Sequence, residues 1–185
     1  IQFIDIVIKK DDNLIIRVPM IEEVSVFILL KALGLETDVD IIKAIAGDDD
    51  EDMKNYILTA MSSARANVAN PIFKQSQAMN YLIGKMKIYR NYSENEQEKI
   101  KDKIIHLNEL FDNNLLPHVS GSKYKKALYI AHMVKKLINC KLGRTTIDDR
   151  DSFVNKRIDT PGDILLDIFR QRYKRIIRAC QQELT

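Results

Sequence analysis

Two β-branched runs open the chain: Phe3 to Ile8 and Leu14 to Val18 flank the polar stretch Lys9-Lys10-Asp11-Asp12-Asn13. That pattern predicts an antiparallel hairpin, closed off by Pro19. From Val24 to Leu33 the residues are almost continuously apolar and stop at Gly34, which predicts a buried helix with a glycine C-cap. Thr37 or Asp38 can cap a short helix ending near Ala46, and Gly47 terminates it. The acidic run Asp48 to Asp52 precedes a helical pattern from Met53 to about Ala66, with Tyr56, Ile57, Ala60, Met61 and Ala64 on one face; acidic groups there suit the positive end of the helix dipole. A further helix is expected from Ile72 to Met86. Ser93-Glu94-Asn95-Glu96 reads as a capping box that opens a helix ending near Asn113, with Ile100, Ile104, Leu107 and Phe111 as its buried stripe.

The second half continues in helices. Leu115 to Val119 is a turn and Ser120-Gly121-Ser122 a flexible joint. From Lys123 to Lys141, Tyr124, Ala127, Leu128, Ala131, Val134 and Ile138 mark an apolar side. Thr160 as N-cap and Pro161 at the first helical position start a last helix. There Arg170, Lys174 and Arg178 form a basic stripe opposite Ile164, Leu165, Ile168, Ile176 and Cys180. The expected class is α+β, a mainly helical domain with a small N-terminal antiparallel β element.

With 185 residues, 45% of them hydrophobic and 30% charged, the chain can bury a full core. A net charge of +3 is too mild to identify a nucleic-acid partner, so the distribution of charge matters more. No acidic residue lies between Lys123 and Arg144, and Lys125, Lys126, Lys135 and Lys136 fall in that block. It reads either as a phosphate-facing surface, whose binding would depend on salt, or as a solvated helix face with snorkelling lysines. Cys140 and Cys180 have no Cys-x-x-Cys neighbour and read as free thiols in a reducing compartment. No apolar run is long enough for a bilayer and no signal-peptide pattern is present, so a soluble, intracellular protein is expected. The absence of an initiating Met and the strand-like first residues suggest a piece of a larger polypeptide.

No autonomous catalytic constellation emerges. His106, His118 and His132 fall in different elements without metal-ligand spacing. Gly121-Ser122-Lys123 lacks the upstream glycine of a phosphate loop, since position 116 is Leu116 and the next is Pro117. The acidic run Asp48 to Asp52 lacks the glycine and terminal glutamate of a calcium loop. The paired aspartates further on are flanked by Arg and Lys residues that would compete with a metal.

The most informative stretch is Gly143 to Arg157, with seven charged side chains: Arg144, Asp148, Asp149, Arg150, Asp151, Lys156 and Arg157. Most could pair within the loop, and arginine's planar fork makes Arg150 and Arg157 the better candidates for fixed geometry. From charge alone it reads as an exposed, self-neutralised turn, and isolated pairs of that kind contribute about 0–1 kcal/mol.

The motif Asp-Asp-Arg-Asp-x-x-x-Asn-Lys-Arg, reached through Leu-Gly-Arg and followed by Ile158-Asp159-Thr160-Pro161-Gly162-Asp163, resembles the second-largest subunit of multisubunit DNA-dependent RNA polymerases of eukaryotic or large-DNA-virus type. Val18-Pro19, Val26 to Gly34, Ala78 to Gly84 and Leu116-Pro117-His118-Val119 are similar to further motifs of that family, in the same order. The resemblance implies the lobe domain over residues 1–159, one wall of the downstream DNA cleft, with residues 160–185 leading back toward the protrusion. It implies no catalytic or metal-binding residue here; magnesium is expected in the parent complex, held chiefly by the largest subunit. By the same analogy Arg144, Arg150, Asp151, Asn155, Lys156 and Arg157 lie near nucleic acid, with Asp151 and Lys156 foremost. Implied partners are other polymerase subunits, especially the largest, and DNA, with no membrane; the implied setting is host cytoplasm or virion if viral, nucleus if cellular. Ser152 and Val154 stand where many cellular members have His and Gly, and Lys31 where an Arg is usual, which suggests a divergent or viral enzyme. The competing reading is a helical interaction module that meets an acidic partner through its basic helices.

Overall fold

The computed structural model describes residues 4–68, 70–86, 96–156 and 158–183. The chain divides into two compact units, Ile1–Thr145 and Thr146–Thr185.

The first unit is α+β, as expected. Strands β1 (Asp5–Ile8) and β2 (Leu14–Arg17) pair antiparallel, with Asp5 opposite Arg17 and Ile8 opposite Leu14. Asp12 takes a positive φ of 54° in the connecting turn, a conformation that Asp tolerates better than most residues. A short third strand, β3 (Val24–Ser25), pairs with β2 where the apolar pattern predicts the start of the following helix. An apolar run does not distinguish a buried strand from a buried helix, and here β2 supplies the pairing edge.

Helix α1 (Val26–Ala32) is buried at every position. It packs against α4 (Gln75–Gly84), α6 (Lys123–Lys141), β2 and β3, so no face is left for water. Gly34, at φ +116°, donates its N–H to the Lys31 carbonyl, and Leu35 donates to Leu30, which closes the helix as a Schellman cap. Helix α2 (Asp38–Ala46) is capped by Thr37, whose hydroxyl accepts from the Asp40 amide at 3.1 Å, and ends at Gly47, as expected. Helix α3 (Glu51–Ala66) buries Met53, Ile57, Ala60, Met61 and Ala64. Its Tyr56 hydroxyl donates to Asp12 at 3.1 Å and fastens the hairpin turn to the helix. Burial, reinforced by the Asp12 carboxylate, raises the Tyr56 phenol to about 12.

Helix α4 starts at Gln75, three residues later than Ile72. The Gln77 side chain accepts from the amides of Phe73 and Lys74 at 2.9 and 3.1 Å, which sets the cap at Lys74. The expected capping box at Ser93 lies outside the described residues. Helix α5 (Glu96–Glu109) runs into a π-helical turn, Leu110–Asn114. Leu107, Leu110 and Phe111 are buried, whereas Ile100, placed in the buried stripe, is 52% exposed. The packed side begins at the partly buried Ile104, one turn later.

Helix α6 has the expected bounds, but its buried stripe is Ala127, Ile130, Ala131, Val134 and Ile138; Tyr124 and Leu128 face outward. Lys126, read as part of a charged surface, is instead buried, 3% exposed. Its ammonium donates to the carbonyls of Phe111, Asp112 and Leu115, each at 2.8 Å. Phe111 and Asp112 belong to the π-helical turn and Leu115 caps it; carbonyls at a helix end lack intrahelical partners, and a lysine carries three donors to match them.

A second buried lysine sits in α1. Lys31 is 5% exposed; it pairs with Asp38 at 3.0 Å and donates to the Ile72 carbonyl at 3.1 Å. Arg65 of α3 pairs with the same carboxylate, and the Phe73 ring lies about 6 Å from both cations. Burial pushes the Asp38 carboxyl up, but Lys31 and then Arg65 outweigh it and hold it below the usual range.

In the second unit, Thr160 and Asp163 cap α7 (Pro161–Glu183) reciprocally: the Thr160 amide donates to the Asp163 carboxylate at 3.2 Å, and the Asp163 amide to the Thr160 hydroxyl at 3.4 Å. No residue of α7 is buried, so its apolar side is uncovered.

Asp38→Asn leaves Lys31 buried without a counter-charge and is expected to cost about 3 kcal/mol in chemical denaturation. A near-neutral change would mean that Asp38 does not compensate Lys31. Lys126→Met keeps the aliphatic stem but strands three carbonyls; about 2–3 kcal/mol is expected, and full retention of stability would show that water replaces the ammonium.

Candidate nucleic-acid interface

The charged segment near the end of the chain is divided between the two units. Arg144 belongs to the first. It follows α6 directly, since Gly143 at φ +73° turns the chain and the Arg144 amide donates to the Asn139 carbonyl at 3.0 Å. Its guanidinium grips Asp50 with both terminal nitrogens and reaches Asp52 at 3.1 Å. The partners of Arg144 are thus in the acidic run at the start of α3, not in its own loop as its neighbours had suggested. Residues 94 positions apart cannot be matched by local charge counting.

Asp50 is the centre of that contact. Its carboxylate also caps α3 by accepting from the Met53 amide at 3.2 Å. The Arg144 hydrogen bond, then the Met53 amide, hold its carboxyl below the ordinary value. Asp50 correspondingly raises Arg144 further above its usual range.

Most of the basic block between Lys123 and Arg144 is likewise consumed inside the first unit. Lys123 donates to Asn108 at 2.6 Å, Lys135 reaches the Ala46 carbonyl at 3.5 Å, Lys141 lies 3.7 Å from Asp12, and Lys126 is buried. Only Lys125 and Lys136 of α6 stay exposed without an ion pair among the described residues.

In the second unit the loop is organised by Asp149. Its side chain accepts from the Asp151 amide at 2.9 Å, and its carbonyl accepts from the Asn155 side chain at 2.8 Å and the Ser152 amide at 3.3 Å. An aspartate that accepts from the amide two residues on builds an Asx turn, so the loop has a defined shape without a core beneath it. Val154 is 92% exposed and is not among the residues with positive φ, so a β-branched side chain sits here without backbone strain. Asp151 and Lys156 pair at 3.0 Å across the loop. Arg150 is exposed and makes no ion pair or hydrogen bond among the described residues. Arg157 lies outside them. Thus Asp151, Asn155 and Lys156 are brought together, Arg150 projects from the same loop, and Arg144 serves a separate contact.

The model of the family described as RNA polymerase Rpb2, domain 2, matches residues 3–159. The chain belongs to that family. It is 30% identical to DNA-directed RNA polymerase subunit 2 of Acanthamoeba polyphaga mimivirus, over 98% of this chain and 16% of the relative. It is 32% identical to DNA-directed RNA polymerase II subunit RPB2 of Encephalitozoon cuniculi over 87% of this chain and 13% of the relative. With subunit Rpo2 of Saccharolobus solfataricus the identity is 28%, covering 95% and 15%. The chain therefore spans about one sixth or less of the subunits that it matches. The family match runs past the boundary at Thr145 and includes the whole Asp149-centred loop.

Sequence reasoning missed Asp50 and Asp52 as partners of Arg144, and Asp149 as the organiser of the loop. The second was legible, since aspartates commonly build such turns; the first was not. In a carboxyl titration followed by NMR, Asp50 is expected below the ordinary aspartate value of 3.8 and higher in Arg144→Ala. Because its folded-state pKa is depressed, the contact stabilises the fold above the unfolded-state pKa, and that contribution is lost as pH falls through the folded value. Identical titration in both proteins would remove Arg144 as the cause.

Proposed function

We propose that this chain forms a lobe-type wall of the downstream DNA cleft in a DNA-directed RNA polymerase and carries none of the enzyme's bond-making groups. The observation that carries this reading is the family match across the charged loop, where Arg150 stands exposed without a counter-charge among the described residues. Among the described residues Lys156 pairs with the well-exposed Asp151 alone, so a phosphate can compete for it at little cost. Asp151 and Asn155 shape the loop, and Arg157 belongs to the same proposed nucleic-acid-proximal set. Arg144 has a positioning role: it anchors the end of α6 to α3 just before the loop begins.

The catalytic magnesium is assigned to other parts of the parent enzyme, chiefly its largest subunit. No group of three or more potential ligands converges among the described residues, and Arg144 occupies two of the carboxylates in the acidic run. The parent works inside a cell or virion, and no helix among the described residues is long and apolar enough to cross a membrane. Helix α7, apolar on one side and without a buried residue, is proposed to lead back into the remainder of the subunit, whose surface would bury that side.

In the assembled polymerase on a forked DNA template, a photo-crosslinker at position 156 is expected to label DNA. Arg150→Ala combined with Lys156→Ala is expected to weaken DNA retention and lower the log–log salt slope by about 2, one per lost phosphate contact. Labelling of protein alone, with an unchanged slope, would overturn the cleft-wall placement.

A further inference from the structure

The solvent-facing side of α6 serves none of the roles described above. Lys125, Tyr129, His132 and Lys136 recur at helical spacing on one face, flanked by Tyr124 and Leu128. Tyr124 is 50% exposed, Tyr129 41% and Leu128 39%, a cluster of large apolar groups in water. The His118 ring, carried by the preceding turn, stands edge-on to Tyr129 with centroids 5.4 Å apart, which widens the face and fixes the tyrosine. The two lysines without ion pairs lie at either end, roughly 16 Å apart along the helix. No carboxylate occurs on α6.

We infer that this face docks an acidic protein segment bearing aliphatic or aromatic side chains. An apolar, tyrosine-rich centre with charges at its rim is the anatomy of a protein interface, and tyrosines are frequent anchors in such contacts. The charges that α6 itself places at the rim are all positive, which favours a negatively charged partner. Nucleic acid is the poorer fit because two lysines neutralise about two phosphates, a log–log salt slope of only about −2, and leave Leu128 without a role. The inference does not depend on the loop at Arg150, which lies in the other unit.

The test uses the assembled parent polymerase with a photoreactive residue at position 129, and at the exposed Thr59 of α3 as control. Mass spectrometry of the adducts is expected to find a net-negative protein segment containing Leu, Phe or Tyr, specific to position 129. A synthetic peptide of that segment should bind the polymerase about tenfold more weakly, or worse, after Leu128→Ala with Tyr129→Ala, and about tenfold more weakly after Lys125→Glu with Lys136→Glu. Thermal melting of both variants should stay near wild type, since all four side chains are exposed. Adducts to DNA or RNA, to a neutral or basic segment or to another part of the same subunit, or no adduct at all, would overturn the inference.

Discussion

A single carboxylate organises the centre of the larger unit. Asp38 opens α2, receives Lys31 from the fully buried α1 and Arg65 from the end of α3, and sits beside the segment at Ile72 and Phe73 that leads to α4. Removing an ammonium from water is expensive, by several kcal/mol, and only a close counter-charge with further hydrogen bonds offsets it. Lys31 has both, from Asp38 and the Ile72 carbonyl. The requirement is geometric: α1, α2, α3 and the entry to α4 must arrive together, or a charge is left uncompensated in the core. An Arg at position 31 would bring a longer planar group to the same place. The lysine meets the demand with a single point charge.

The same economy governs the basic block at α6. A block of seven basic residues from Lys123 to Arg144 suggests a surface prepared for phosphate, yet five are bound internally, to Asn108, to unpaired carbonyls, to Asp12 and to the acidic run that begins α3. Net charge and charge runs count what the chain carries; only the fold determines what it offers to a partner. What that block and the loop after it offer is small and specific: two lysines beside tyrosines on α6, and Arg150 with Lys156 on a loop shaped by Asp149; the basic stripe Arg170, Lys174 and Arg178 of α7 is exposed as well.

The two units differ in how they are held. Residues up to Thr145 enclose a continuous core from Leu14 to Ile138. The segment from Thr146 has well-formed local structure, an Asx turn and a reciprocally capped helix, but no buried side chain on α7. Capping and turn formation need only neighbours in sequence, whereas burial needs a second surface. In a protein spanning about one sixth of its relatives, that surface is naturally sought in the rest of the subunit.

The local features were legible in advance. The hairpin, the Thr37 and Thr160 caps, the glycines at 34 and 47, the α6 bounds and the ordered family motifs all depend on a few adjacent residues, where side-chain chemistry and backbone preference act directly. Tertiary structure alone decided that Val24 and Ser25 join a sheet, that Tyr124 and Leu128 face water, that Lys31 and Lys126 are buried, and that Arg144 crosses to Asp50. Each depends on which surface lies opposite, at sequence separations where local pattern carries no information. The fate of a charge in particular is set by competition between water and a distant partner, and that partner is present only once the chain has folded.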